Sequence, residues 1–159
     1  MPDRDILLLG LGNYLMGDEG IGCHAITYLQ TEGYGKALDL LDGGTAGFNL
    51  MEHLVNHKHV IMIDATLDTK PEGTVRVFRP KAVSEFPHNL STHEIGLKDL
   101  ITALELTDQL PDLYLIAVSV KDYDELRVTL SPAIEATLPE IKKQIDRILA
   151  HITTVKEIV

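Results

Sequence analysis

Three polar residues occupy positions from which they could do chemistry together. Glu19 lies in the turn after the first apolar run, Asp64 directly follows the apolar run of the third predicted strand, and His93 opens a predicted helix. One imidazole and two carboxylates form a ligand set for a divalent metal ion that leaves coordination positions open. Because parallel strands bring their carboxyl ends to one edge of a sheet, where ligands bind at a topological switch point, we expect the three side chains to converge there.

Each of these residues also has an interpretation without chemistry. Glu19 and its neighbour Asp18 could simply complement the positive end of a helix dipole, and Asp64 could end its strand in a turn. His93 could be a solvated residue of a first helical turn. A position near a helix N-terminus disfavours the imidazolium, however, and the neutral ring is the form that binds a metal ion.

The loop after the first strand has some features of a nucleotide-binding loop and lacks others. Gly10 and Gly12 fit the fingerprint G-x-G-x-x-G, whereas Leu15 stands at the third glycine position. Asp18 and Glu19, at the start of the following helix, would repel a phosphate. The loop therefore suits a cation, or a group that a cation carries, and a nucleotide-dependent enzyme is disfavoured.

A second loop with two glycines ends the second predicted strand. It consists of Asp42, Gly43 and Gly44. Such a sequence is typical of a turn, and its two glycines would also let another backbone approach closely.

The other histidines and the cysteine are interpreted as structural. His53 and His57 share a helical face, but Leu54 occupies the position at which a zinc protease of the H-E-x-x-H type has its glutamate. We predict that His53, His57 and His59 form a solvated surface. Cys23 is predicted to be a small core residue.

Charge and composition limit the classes of partner. The chain has 159 residues, which indicates one domain spanning residues 1–159, and its 24 acidic and 14 basic residues give a net charge of −10. This acidic balance argues against nucleic acids and anionic membranes as partners. We identify no apolar run of membrane-spanning length and no signal peptide, so we predict a cytoplasmic protein.

Strands and helices alternate in the apolar pattern, which predicts an α/β fold with a mostly parallel sheet. A capping-box pattern places Ser91 at the N-cap and Glu94 at the N3 position of one helix, and Pro139 predicts a kink or restart in the last helix. The predicted strands are residues 5–11, 37–42, 60–63, 75–77 and 113–120. The predicted helices are residues 19–32, residues 46–56, one opened by Ser91 and one that follows Ser131.

Five segments together resemble the hydrogenase maturation proteases, the endopeptidases that trim the large subunit of nickel–iron hydrogenases. The order and spacing of the segments match across essentially the whole chain, and the first two are specific in combination. The segments are Gly10-Leu11-Gly12-Asn13, residues 17–22, residues 42–47, Ile63-Asp64-Ala65 and residues 91–97.

The resemblance implies a three-layer α/β/α fold whose five-stranded sheet is mostly parallel, with one antiparallel strand. It also implies an endopeptidase, of the aspartyl type, that removes the C-terminal extension of a hydrogenase large subunit after nickel has been inserted. The implied partner is the precursor of that large subunit, and the protein is expected to be a monomer. The main alternative is a non-catalytic chaperone that holds nickel or the precursor.

The resemblance also assigns roles to individual residues. Glu19, Asp64 and His93 are implied to be the metal ligands and the catalytic residues, and residues 42–44 to help select the substrate. The nickel would arrive bound by the precursor's cysteines, with none permanently held by the protease. It could polarise the scissile carbonyl or lower the pKa of a water, or Asp64 or Glu19 could act as the base. The family often has a Gln-Pro pair after the last strand, where this chain has residues 118–123.

Overall fold

A computed structural model describes residues 5–91, 96–121 and 126–158. Within these residues the chain forms a five-stranded sheet in the order β2-β1-β3-β5-β4. The strands are β1 (Ile6–Leu11), β2 (Asp39–Gly44), β3 (His59–Thr66), β4 (Val75–Phe78) and β5 (Asp112–Ser119). Four strands are parallel and β4 pairs antiparallel with β5, which confirms the predicted mostly parallel sheet with one antiparallel strand.

Helices cover both faces of this sheet. Along β3, Val60 and Met62 pack with residues of α2 and α3, whereas Ile61 and Ile63 pack with residues of α1 and α5 on the other face. A strand buried on both faces has no polar side, which explains its continuous apolar run. The helices are α1 (Ile21–Thr31), α2 (Met51–Val55), α3 (Leu97–Leu106), α4 (Pro132–Glu135) and α5 (Leu138–Ile158).

The strand order reverses beside β1, whose two neighbours are β2 on one side and β3 on the other. In an open α/β sheet, connections that leave in opposite directions create a crevice at the carboxyl ends of the strands. Glu19 follows β1 and Asp64 lies near the carboxyl end of β3. The topology therefore places the segments of both residues beside the switch point.

Glycines allow α1 to lie directly on the backbone of the two central strands. A Cβ atom at Gly22 would lie 2.3 Å from the carbonyl oxygens of Leu11 and Ile63. One at Gly10 would lie 2.2 Å from the carbonyl oxygen of Gly22. The glycines that partly match a nucleotide fingerprint thus serve close packing of helix against sheet.

The structure corrects the predicted start of α3. The helix begins at Leu97, with Gly96 in a left-handed conformation as its N-cap, so Ser91 is not the N-cap. Ser91 is instead bonded to the end of β3, because its N–H donates to the carbonyl oxygen of Ala65 at 2.9 Å. The bond between Ser91 and the end of β3 therefore outweighs the local capping-box pattern. His93 and Glu94 lie outside the described residues.

The last helical region restarts at the predicted proline. The short helix α4 ends at Glu135, and α5 begins at Leu138, so that Pro139 stands in its first turn, where it removes no helical hydrogen bond. Although α5 has 21 residues, none of the helices in the described part of the chain is both long and apolar enough to span a membrane.

Candidate functional site

Asp64 is a buried carboxylate at the carboxyl end of a central strand. It lies within β3, which extends to Thr66, rather than after the strand as predicted, and its side chain is 0% exposed. Its Oδ1 accepts a hydrogen bond from the backbone N–H of Ala65 at 2.8 Å and another from the hydroxyl of Ser91. These two donors fix the orientation of the carboxylate.

Ser91 is a site residue that the sequence interpretation missed. The segment before it runs along the end of β3, where the N–H of Leu67 donates to the carbonyl oxygen of Asn89 at 3.0 Å. This backbone pairing holds the Ser91 hydroxyl against Asp64. The only signal in the sequence was that Ser91 belongs to the same matched segment as His93. The capping-box pattern offered another explanation for the serine, as a helix N-cap.

Glu19 comes from the other side of the switch point. It is half-buried in the 3-10 turn Gly17–Gly20, which packs against β3. A Cβ atom at Gly12 would lie 2.1 Å from the carbonyl oxygen of Glu19 and 3.4 Å from the hydroxyl oxygen of Ser91. The backbone of Glu19 and the Ser91 hydroxyl that donates to Asp64 therefore both lie against Gly12.

Asp18, the neighbour of Glu19, has a structural role that the sequence did not reveal. Its side chain is buried, and its two oxygens accept hydrogen bonds from the N–H and the hydroxyl of Ser131, each at 2.7 Å. The guanidinium of Arg127 lies 3.5 Å from the same carboxylate. Asp18 thus joins the turn after β1 to the segment before α4, which leaves Glu19 as the acidic residue of this pair at the site.

We expect Asp18→Ala to lower the free energy of unfolding by about 3 kcal/mol, because it removes the acceptor of both Ser131 donors and the carboxylate that pairs with Arg127. Urea denaturation measures this loss. The matched control is Asp99→Ala, which removes an exposed acidic residue from the first turn of α3 and should cost about 0.5 kcal/mol. Equal effects of the two substitutions would contradict the structural role of Asp18.

The loop of Asp42, Gly43 and Gly44 is tied to the same place. The N–H of Gly12 donates to the carbonyl oxygen of Gly44 at 3.0 Å, and Asp42 Oδ1 accepts the N–H of Gly44 at 3.1 Å. Residues 42–44 are the last three residues of β2 and pair with β1 across a bulge, so the strand continues through the predicted turn. Asp42 itself is exposed, so its carboxylate borders the site at the end of β2.

Cys23 is buried beside these carboxylates and is a neutral thiol. Its Sγ donates to the carbonyl oxygen of Gly12 at 3.4 Å. Burial, followed by the hydrogen bond and charge of Asp42 and then the charge of Asp64, raises the pKa of the thiol far above its ordinary value. The predicted core role is confirmed, and the raised pKa disfavours a thiolate at this position.

Two histidines differ from the predicted solvated surface. The Nε2 atom of His57 lies 2.8 Å from a carboxylate oxygen of Asp39, and Nδ1 of His59 lies 2.9 Å from one of Asp112. Their side chains are 9% and 19% exposed, whereas His53 is exposed as predicted. These pairs lie at the amino ends of the strands, at the opposite edge of the sheet from Asp64, where carboxylates on neighbouring strands anchor them.

Within residues 5–91, 96–121 and 126–158, no three histidine, cysteine, aspartate or glutamate side chains come together as a metal-binding group. The buried Asp64 carboxylate and the backbone of Glu19 lie at this edge of the sheet, and His93 lies outside these ranges. The convergence of all three residues stays a prediction.

Exposed apolar side chains lie beside the turn that carries Glu19. The N–H of Arg127 donates to the carbonyl oxygen of Leu15 at 2.8 Å, which brings the segment around Leu126 and Val128 next to Tyr14 and Leu15. These four apolar residues are all exposed, and Leu126 is 79% exposed. A cluster of exposed apolar groups is typical of a protein-binding surface. We call these four residues the apolar rim.

Comparisons with known proteins identify relatives over most of the chain. The family model described as hydrogenase maturation protease (HycI) matches residues 23–151. The hydrogenase 2 maturation protease of Escherichia coli strain K12 is 32% identical over 143 residues, which cover 88% of this chain and 87% of that protein. The hydrogenase expression/formation protein HupD of Thiocapsa roseopersicina is 32% identical over 149 residues, covering 91% and 67% of the two chains.

Solved structures have the same fold. The structure of the hydrogenase maturating endopeptidase HybD from E. coli matches with a TM-score of 0.80 and 32% identity, covering 94% of this chain and 93% of the other. The nickel–iron hydrogenase maturation protease HybD from Thermococcus kodakarensis matches with a TM-score of 0.73 and 28% identity, covering 92% and 99%.

Proposed function

Because this chain belongs to the hydrogenase maturation protease family, we propose that it removes the C-terminal extension of a nickel–iron hydrogenase large subunit after nickel insertion. The chain is a peptidase that acts in hydrogenase maturation. A non-catalytic chaperone is therefore not the preferred interpretation. The finer parts of the proposal concern the substrate, its metal and the residues that meet them.

The observation that carries the proposal is the buried Asp64 carboxylate at the switch point, with Glu19 on the adjoining turn. The Ala65 N–H and the Ser91 hydroxyl orient Asp64 before any substrate arrives. A preorganised carboxylate needs no ordering when the peptide binds. This position suits a group that either meets a cation or takes a proton from water.

We assign Glu19, Asp64 and His93 to the nickel ion that the precursor brings with it. Carboxylate and imidazole groups suit a divalent transition metal whose other positions are filled by the cysteines of the substrate. The negative charges of Asp42 and Asp64 raise the pKa of the nearby Cys23 thiol. The same charges favour a cation at this edge of the sheet. A nickel-free precursor lacks that cation and should bind weakly.

The apolar rim gives the precursor a surface to contact beside the site. Tyr14, Leu15, Leu126 and Val128 offer apolar area that a folded protein partner would bury. We propose that contact with the rim positions the tail, while Glu19, Asp64 and His93 meet the metal. In this arrangement the protease recognises a folded, metal-loaded subunit rather than a tail sequence alone.

The test is processing of a purified, nickel-loaded large-subunit precursor. We expect the intact mass of the precursor to fall by the mass of its C-terminal extension when the protein is added. Asp64→Asn protein, purified in the same way, serves as the matched control for a contaminating protease, since we expect it to be at least about 100-fold slower. Persistence of the full-length precursor with wild-type protein would refute the proposed function.

Asp42 is expected to govern which precursor is cut more than whether cleavage occurs. Asp42→Asn keeps the shape of the loop and removes a charge that would meet the precursor near the metal. We expect slower cleavage of the native precursor and weaker discrimination against a related one, measured as the ratio of their kcat/KM values. Asp108→Asn, at an exposed position after α3, is the control for loss of one negative charge. Wild-type kcat/KM values for both precursors would exclude Asp42 from selection.

A further inference from the structure

An apolar cavity of about 150 Å³ lies between α3 and the segment that leads to Ser91. Its position does not coincide with the carboxylates around Gly12. The lining is mainly apolar, and the exposed Lys98 side chain contributes to its edge. The apolar residues that line it include Val83, Phe86, Leu90, Leu97 and Ile101.

The cavity is connected to the site through the chain itself. Leu90 lines it and forms an antiparallel bridge with Thr66, and the next residue, Ser91, donates its hydroxyl to Asp64. Consecutive Cα atoms are about 3.8 Å apart, so the cavity wall begins one residue from the group that orients the carboxylate. Alternation along β3 also places Asp64 on the same face as Met62, which packs with α3.

We propose that this cavity is a specificity pocket that takes one apolar side chain of the precursor segment being cut. The inference rests on the proposed function and adds to it the kind of residue recognised. Apolar cavities of roughly 150 Å³ accept a group the size of benzene, which corresponds to one leucine, isoleucine, methionine or phenylalanine side chain. A peptide anchored there would run past Ser91 toward Asp64.

The charge at the edge of the cavity agrees with a peptide occupant. Lys98 is one of 14 basic residues in a chain with 24 acidic ones, and its ammonium would offset the general repulsion that a peptide carboxylate meets. The pocket would therefore hold the apolar side chain, with the Lys98 ammonium at its edge.

The pocket can be closed from its exposed edge by Ser84→Phe. Ser84 lines the cavity and is exposed, so a phenyl ring there can cover or fill it without disturbing the core. Thr154→Phe, at an exposed position of α5 on the other face of the sheet, is the matched control. Melting temperatures of both variants confirm that they fold.

The kinetic test combines these variants with nickel-loaded precursors in which each apolar residue around the scissile bond is replaced by Ala. We expect one such replacement to raise KM about tenfold or more with wild-type protein. Ser84→Phe should raise KM for the parent precursor by a similar factor and have little further effect on that Ala precursor. The pocket would be overturned if the effects of Ser84→Phe and of the Ala replacement on KM were fully additive. It would also be overturned if Ser84→Phe and Thr154→Phe had the same KM for the parent precursor.

A binding measurement separates the pocket from the proposed function. If wild-type protein cuts no precursor, the proposed function fails, and the pocket is judged by the methyl NMR signals of Leu90, Leu97 and Ile101. A synthetic peptide spanning the scissile bond, at millimolar concentration, should shift these signals in wild-type protein. The peptide with Ala at the anchoring position should shift them at least tenfold less. Unshifted methyl signals with the parent peptide would overturn the inference. The same NMR measurement tests the pocket if Ser84→Phe does not fold.

Discussion

Asp64→Asn is expected to slow removal of the precursor tail by about 100-fold or more while leaving the protein folded. The amide oxygen of Asn can still accept the hydrogen bonds that Ala65 and Ser91 give to Oδ1 of Asp64. What the substitution removes is the charge, which the proposal assigns to the precursor's metal or to a proton from water. Single-turnover cleavage followed by intact mass measures the rate.

The control for this experiment separates the charge from its orientation. Ser91→Ala keeps the charge of Asp64 and removes the hydroxyl that donates to its Oδ1, so it should reduce the cleavage rate less than Asp64→Asn does. Thermal unfolding should give similar midpoints for wild type and Asp64→Asn. A folded Asp64→Asn protein that processes the precursor at the wild-type rate would remove Asp64 from the mechanism.

Gly22→Ala is expected to lower the free energy of unfolding by about 3 kcal/mol or more. A Cβ atom at Gly22 would lie 2.3 Å from the carbonyl oxygens of Leu11 and Ile63, which belong to the two central strands. Backbone of this kind cannot shift without disturbing the sheet. Alanine is the better helix former by about 1 kcal/mol, so the packing clash has to exceed that gain.

Thermal unfolding measures this effect, and a loss of about 3 kcal/mol corresponds to roughly 6–12 °C in the midpoint for a chain of this size. The matched control is Gly35→Ala, because nothing lies within 4 Å of a Cβ atom built at Gly35. We expect the control to change the midpoint by no more than a few degrees. A midpoint for Gly22→Ala at or above that of Gly35→Ala would contradict the close packing of α1 on the sheet.

The pattern of apolar residues and prolines along the sequence was enough to predict the fold class. The apolar run before Asp64 is continuous because β3 is buried on both faces, and this pattern depends only on burial, not on particular partners. The restart of the last helical region at Pro139 was also predictable, because proline acts on its own segment of chain.

Residues whose roles depend on distant partners were not predictable in this way. Ser91 fits a local capping box, yet its hydroxyl donates to Asp64, a residue 27 positions away. Asp18 appeared equivalent to Glu19 in the sequence, and its partner Ser131 is 113 positions away. His57 likewise depends on Asp39 of β2. A local sequence pattern indicates the conformation that one segment prefers, whereas these contacts form only when the sheet brings distant segments together.

The edge of the sheet at which the segments of Glu19 and Asp64 lie was easier to predict than the contacts of individual side chains there. Glu19 and Asp64 were expected at one edge of the sheet because they follow or end neighbouring parallel strands, and the structure brings their segments together around Gly12. The orienting role of Ser91 and the neutral thiol of Cys23 emerged only from the packed structure.

The central claim is that the metal in the precursor licenses its cleavage, and the most direct measurement compares one precursor with and without nickel. Trypsin should release the tail from both forms, as a control that the tail is equally accessible. The account predicts that wild-type protein removes the tail of the nickel-loaded form. It also predicts that the nickel-free form is cut at least about 100-fold more slowly. Equal cleavage rates for the two forms would contradict it.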